Sequence, residues 1–276
     1  MVVRSRWMPF ASFSLMSEFI PAVGQEYWHC DMKRGFQRVR KKEPEIAAIL
    51  NRDTTVQQIG LLAQQGVYEF HQDDRLLDDV NCVNRVARAL KLEDESLVVR
   101  ERVFQVLDNY YDYPVLKGKK ILKLSRGDEG IPTPLEVQAD NLSFKLFAAI
   151  DCLFLEEDGT LHILDFKTGK SDFDLRQGYV YLLMARYLYP NQKSVASFYN
   201  LESCKWSEPI TASPLQLNAI QSNLARIAQK HDAQTQKYRK NSTEFEQIFP
   251  PNPDQRRCKH CQFHSVCNFS AREVSA

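Results

Sequence analysis

The sequence predicts an α/β fold, a mixed β-sheet flanked by helices. Three observations carry this expectation. Between Thr54 and His71 the apolar residues Val56, Ile59, Leu62, Ala63, Val67 and Phe70 recur at helical spacing. β-branched and aromatic runs at residues 97–107, 143–155 and 161–166 read as strands, and the turn-like Glu157-Asp158-Gly159-Thr160 joins the last two into a hairpin. The elements then follow the order helices, strands, helix, strand, helix.

Taken in order, residues 1–16 carry Arg4 and Arg6 before a short apolar stretch broken by Pro9, and read as a disordered extension or as a start placed too early, with Met16 as the first residue. A helix over 17–30 leads into a basic arm holding Lys33, Arg34, Arg38, Arg40, Lys41 and Lys42. The helix at 54–71 is followed by another at about 80–91, from Val80, Val83, Val86 and Leu90. A basic loop with Lys117, Lys119, Lys120, Lys123 and Arg126 runs into Pro132 and Pro134. After the hairpin, Ser171 or Asp172 can cap a helix reaching about Tyr187, which Pro190 stops. A strand at 194–201 and a helix at 214–237, with Leu217, Ile220, Leu224 and Ile227 on one side, complete the chain. One domain is expected over 17–276, with its core at about 97–201.

Composition narrows the function. With 276 residues, 43% hydrophobic and 26% charged, the chain has material for a sizeable core. Its 10 glycines include no G-x-G-x-x-G, and the phosphate-loop lookalike Thr168-Gly169-Lys170-Ser171 has Leu164 where the first glycine belongs, so an intrinsic ATP motor is not expected. No 18-residue apolar run occurs, which excludes a spanning helix. The net charge of +1 gives no global pull toward nucleic acid, so such binding must come from local patches. Seven cysteines, an odd number without even spacing, argue against a secreted disulfide framework and for a cytoplasmic protein.

Asp151 sits in the apolar run Phe147-Ala148-Ala149-Ile150-Asp151-Cys152, and Asp165 near the end of Leu161-His162-Ile163-Leu164-Asp165-Phe166-Lys167. An ionised carboxylate in such a strand is costly unless paired or metal-bound. Two of them on strands joined by a tight turn can converge on one cation. Mg²⁺ takes a few hard oxygens and keeps its waters, so the two carboxylates plus the Phe166 carbonyl would suffice. Lys167, two residues after Asp165, shares its face of the strand. There it could position or deprotonate a nucleophile and offset charge on a phosphate.

The order apolar strand with Asp, turn, strand with Asp165-Phe166-Lys167, then a helix with Gln177 and Tyr181 four apart, resembles the RecB-like branch of the PD-(D/E)xK nuclease superfamily. That resemblance implies a restriction-endonuclease-like sheet core, with Gln177 and Tyr181 lining the site and contacting nucleic acid. It also implies an upstream helix histidine completing the metal site, for which His71 is the candidate and Glu69 the competitor. The expected activity is a Mg²⁺- or Mn²⁺-dependent DNA nuclease, exonucleolytic on single-stranded or frayed ends. It would serve DNA repair, recombination or CRISPR adaptation, with a helicase or adaptation protein as partner. The alternative is a non-catalytic nucleic-acid-binding or scaffold subunit with the same fold. The basic stretches at 33–42 and 117–126, with Arg256 and Arg257, could track phosphates.

Cys258, Cys261 and Cys267 form C-x2-C-x5-C directly after Pro250-Pro251-Asn252-Pro253. Thiolates this close suggest a metal centre that lacks a fourth ligand. Cys30 is the donor by resemblance, because iron-sulfur members of this branch place one cysteine before the core and three after it. The resemblance thus implies a 4Fe-4S cluster stapling a helical periphery at 17–45 and 240–270. Zinc is the rival, since spacing does not separate the two, and His29, His260 or His264 could also ligate. Cys82, Cys152 and Cys204 read as ordinary thiols.

Overall fold

The computed structural model describes residues 8–52, 54–73, 75–169 and 173–270. In chain order the elements are β1 (Phe10–Ser12), α1 (Phe13–Phe19), α2 (Asp31–Arg38), α3 (Pro44–Leu50), α4 (Thr55–Phe70), α5 (Cys82–Ala89) and α6 (Leu97–Asp112). Then come β2 (Lys120–Leu124), β3 (Leu135–Ala139), β4 (Leu142–Phe147), β5 (Cys152–Leu155) and β6 (Leu161–Lys167). The last are α7 (Arg176–Leu188), β7 (Ser194–Asn200), β8 (Lys205–Trp206), α8 (Pro214–Lys240), α9 (Phe245–Ile248) and α10 (Gln255–Lys259). They divide into two compact units, the first from residues 1–53, 134–147 and 221–276, the second from 54–133 and 148–220.

In the first unit β4 pairs parallel with β1 and antiparallel with β3. The segment read as an extension is thus ordered from Phe10 on: β1 joins a sheet, and Ala11, Leu15 and Met16 are buried. Residues 1–7 lie outside the described residues. A separate apolar cluster gathers Met32, Phe36, Ile46, Phe245, Ile248, Phe249 and Phe263, with Cys30, Cys261 and Cys267 packed against it.

The second unit is a five-stranded mixed sheet, order β2-β5-β6-β7-β8, in which only the β6–β7 pairing is parallel. Helices α4, α5 and α6 bury their apolar faces with β5 and β6 in one core. Thr54 starts α4 through a reciprocal capping box with Gln57. Gly66 lets α4 lie against α6, since a Cβ there would come within 2.4 Å of Leu107 Cδ2. The expected β5–β6 hairpin forms, with Cys152 opposite Leu164 and Leu155 opposite Leu161. The Asp158 carboxylate closes its turn by accepting the Thr160 N–H at 2.9 Å.

Two strand expectations are corrected. Residues 97–107 form the start of α6, because Val99, Val103, Val106, Leu107 and Tyr110 fall on one buried helical face and that one-sided burial outweighs β-branched composition. The run 143–155 is two strands, β4 and β5, in different sheets. Asp151 therefore occupies a bend just before β5, where its carbonyl accepts the Ser125 N–H at 2.7 Å, and not the interior of a strand. The expected cap residues Ser171 and Asp172 lie outside the described residues, while α7 opens with the Asp174 carboxylate accepting the Arg176 N–H at 3.1 Å.

Candidate active site

β6 runs beyond the end of its partner β5, so residues 165–167 have no strand on that side. The Asp151 carboxylate fills the space, its Oδ2 accepting the Phe166 N–H at 2.9 Å. The N–H and C=O of a strand residue face the same edge, so the Phe166 carbonyl faces Asp151 too. On the neighbouring side, the Lys167 carbonyl accepts the Leu201 N–H at 2.9 Å.

Asp165, buried at 3% exposure, is held by α7. Its Oδ1 accepts from the Tyr181 hydroxyl in a short hydrogen bond and from Gln177 Nε2 at 3.2 Å. Its Oδ2 lies 2.5 Å from Lys167 Nζ as a charge contact without a directed hydrogen bond. Gln177 closes the circuit: its Oε1 accepts from Lys167 Nζ at 3.1 Å, and its Nε2 lies 2.5 Å from the Tyr181 hydroxyl. Burial, then the Asp165 charge, keeps the Tyr181 phenol well above its ordinary pKa, so it stays a donor. The four-residue spacing of Gln177 and Tyr181 places both on the helix face that meets β6.

Asp151 is the strained member of the cluster. Burial, and then the neighbouring Asp165 charge, pushes its carboxyl up to about 8. Two carboxylates on one buried edge resist joint ionisation, and a divalent cation relieves that repulsion. The oxygens of Asp151, Asp165 and the Phe166 carbonyl are the hard donors such a cation takes.

His71 is not joined to this centre by the contacts described. It ends α4, and its Nε2 lies 2.7 Å from the Tyr110 hydroxyl. The α4 residue that reaches Asp151 is Gln64, whose Nε2 donates to Asp151 Oδ1 at 3.2 Å. Positions 64 and 71 are seven apart, about 10 Å along a helix. Glu69 is five past Gln64 and so on a different face of α4. Sequence reasoning missed Gln64 because a neutral amide advertises no chemistry. Gly127, at φ +92°, carries the facing loop close to it, where a Cβ would lie 2.9 Å from Gln64 Oε1.

In the first unit Cys30, Cys258, Cys261 and Cys267 line one cavity of about 90 Å³. All four are free thiols. Burial pushes the Cys261 and Cys267 thiols up, with the neighbouring cysteines adding to it. The two ends of the unit are tied there by protein contacts: the Arg257 guanidinium donates to the Tyr27 and Asn252 carbonyls, and Asn252 Nδ2 donates to the His29 carbonyl at 3.0 Å. Among the described residues no three His, Cys, Asp or Glu side chains are grouped so that they could hold a metal ion.

Part of each of the stretches 33–42 and 117–126 is spent on acids. Arg34 pairs with Asp31, Arg38 with Glu18 and Arg40 with Glu43. Lys117 pairs with Asp78, Lys119 with Glu156 and Arg126 with Asp128. Arg257 is buried at 7% exposure. Lys33, Lys41, Lys42, Lys120, Lys123 and Arg256 are left without an ion pair among the described residues.

The β5–β6 hairpin and α7 thus bring together Asp151, Asp165, Lys167, Gln177 and Tyr181, two carboxylates beside a lysine, an amide and a phenol. The family model of the PD-(D/E)XK nuclease superfamily matches residues 25–268, and the chain belongs to that superfamily, whose members are usually nucleases. Among solved structures, the chain is similar to one described as the crystal structure of SSO0001, at 14% identity and a TM-score of 0.31, over 76% of this chain and 96% of that one. No curated protein matches the chain. Among the described residues no helix is long and apolar enough to cross a membrane.

Proposed function

We propose that the protein is a Mg²⁺- or Mn²⁺-dependent DNA nuclease acting on single-stranded or frayed ends, in DNA repair, recombination or CRISPR adaptation. The observation that carries this reading is the meeting of Asp151 and Asp165 on one edge of β6 with Lys167 beside them. Asp151, Asp165 and the Phe166 carbonyl would hold the cation, which when bound supplies Lewis-acid polarisation of the scissile phosphate. Gln177 and Tyr181 hold Asp165 in place by hydrogen bonds to Oδ1. Gln177 also aims the Lys167 ammonium, which lies next to the phosphate position, balances charge as the bond breaks and can exchange a proton with the attacking water. Gln64 orients Asp151 from the other side.

The cysteines would hold a 4Fe-4S cluster. The four cysteines are among the residues lining a cavity of about 90 Å³, several times the roughly 10–15 Å³ needed by one water. A single zinc ion, with Zn–S distances of about 2.3 Å, would draw them around a point.

The test is cleavage of labelled single- and double-stranded DNA by anaerobically purified protein with Mg²⁺ or Mn²⁺, beside Lys167→Ala and Asp165→Ala. Both variants should lose on the order of 10²- to 10⁴-fold in rate, and covalently closed circles should resist the wild type. Activity persisting in both variants overturns the mechanism, and wild-type inactivity favours the scaffold reading.

A further inference from the structure

The second unit carries an open cavity of about 710 Å³ between α5 and α6 that none of the active-site side chains lines. Each helix contributes a pair four residues apart and therefore on one face: Asn84 and Arg88 from α5, Arg100 and Phe104 from α6. Arg88 Nε donates to the Asn84 carbonyl at 3.2 Å, which fixes the stem and leaves the terminal nitrogens of the guanidinium to other acceptors. Arg85, also on the wall, is neutralised by Asp79 at 2.9 Å. Arg88 and Arg100 have no carboxylate partner among the described residues. They thus differ from most arginines of the basic stretches, which their own neighbours neutralise.

We propose that this cavity is a second contact for the nucleic-acid strand, with Arg88 and Arg100 on backbone phosphate and Phe104 against a base. The inference rests on the nuclease reading and extends it by placing part of the strand away from the cation site. Two cations beside a half-buried aromatic ring are the combination single strands use, phosphate neutralisation with sequence-tolerant stacking. An acidic peptide could meet the same two arginines but brings no base to lie against Phe104.

The test is binding of a labelled single-stranded oligonucleotide to the full chain in EDTA, over a range of salt. The double variant Arg88→Ala/Arg100→Ala should bind about tenfold more weakly, with its log–log salt slope reduced by about 1.4, the share of two phosphates on a single strand. Arg88→Lys/Arg100→Lys should keep the slope, and Phe104→Leu should weaken binding without changing it. Wild-type affinity and slope in the double alanine variant, with a wild-type melting temperature, overturn the proposal. So does displacement of the strand by polyglutamate, or by a free deoxynucleoside monophosphate at the concentration that fills one site. If the wild type cuts DNA while the variants bind normally, only this groove falls. If the wild type neither binds nor cuts, the nuclease reading falls with it.

Discussion

Gln64 and Asp151 are joined across two elements: the Gln64 amide nitrogen lies 3.2 Å from Asp151 Oδ1 and also 3.2 Å from the Ser125 carbonyl. One side chain of α4 therefore fixes both the carboxylate and the loop before it. That loop is further held by Glu129. Burial raises the Glu129 carboxyl, but hydrogen bonds from the Ser125 hydroxyl and the N–H groups of Arg126 and Gly127 outweigh this and hold it down at about 2.

Gln64→Ala should fold, since the residue is half-buried and packs no apolar core. Losing an orienting partner of a ligand typically costs about 10- to 100-fold. We expect that loss in the Mn²⁺ concentration needed for half-maximal cleavage, measured by metal titration, with a smaller change at saturating metal. An unchanged titration would remove Gln64 from the site.

Asp151 sets a pH dependence. Burial and the Asp165 charge raise its folded pKa from the ordinary 3.8 to about 8. The metal-free fold therefore binds an extra proton between those values, and the group's stabilising contribution is lost as pH rises through 8. A cation must displace that proton. Apparent Mn²⁺ affinity should rise as pH goes from 6 to 8 and level off above, and isothermal titration in two buffers of different ionisation enthalpy reads the released proton directly.

His231 sets the opposite dependence in the first unit. It is 5% exposed, and burial followed by the Arg34 and Arg38 charges lowers its pKa from 6.5 to about 4. A depressed histidine contributes stability that is complete above pH 6.5 and is lost as pH falls through 4, about 3 kcal/mol in all. Denaturant melts at pH 7 and pH 4.5 should show a smaller drop for His231→Asn than for the wild type.

The thiols give a metal prediction. Cys30→Ser and Cys258→Ser should each lose iron and the brown colour to the same degree, although the residues are far apart in sequence. Secondary structure by circular dichroism should persist, because Arg257 and Asn252 bridge the same segments without metal. A colourless protein with stoichiometric zinc would replace the cluster and leave the nuclease reading intact.

Much of the centre was legible because its chemistry is local in sequence. Asp165 and Lys167 share a strand face, Gln177 and Tyr181 a helix face, and the hairpin turn announces itself in Asp158-Gly159. What was not legible depends on distant partners. Arg38 looks like part of a free basic arm until Glu18, 20 residues away in sequence, is found beside it. Residues 97–107 hid their helix because Val98, Val99, Val103 and Val106 suit a strand as well. Only the packing of one face on α4 decides the matter. The uninterrupted apolar run through Ala148 and Ile150 concealed a passage from one sheet to the other.

That passage bears on how the protein is made. Synthesis from the N-terminus completes the second unit's chain at residue 220, whereas the first unit still awaits residues 221–276. The sheet bearing Asp165 can therefore fold while Cys30 has none of its three distal partners. On the proposed reading, a metal at the thiols can gain its full ligand set only once Cys267 has been made, after the chain of the sheet bearing Asp165 is complete.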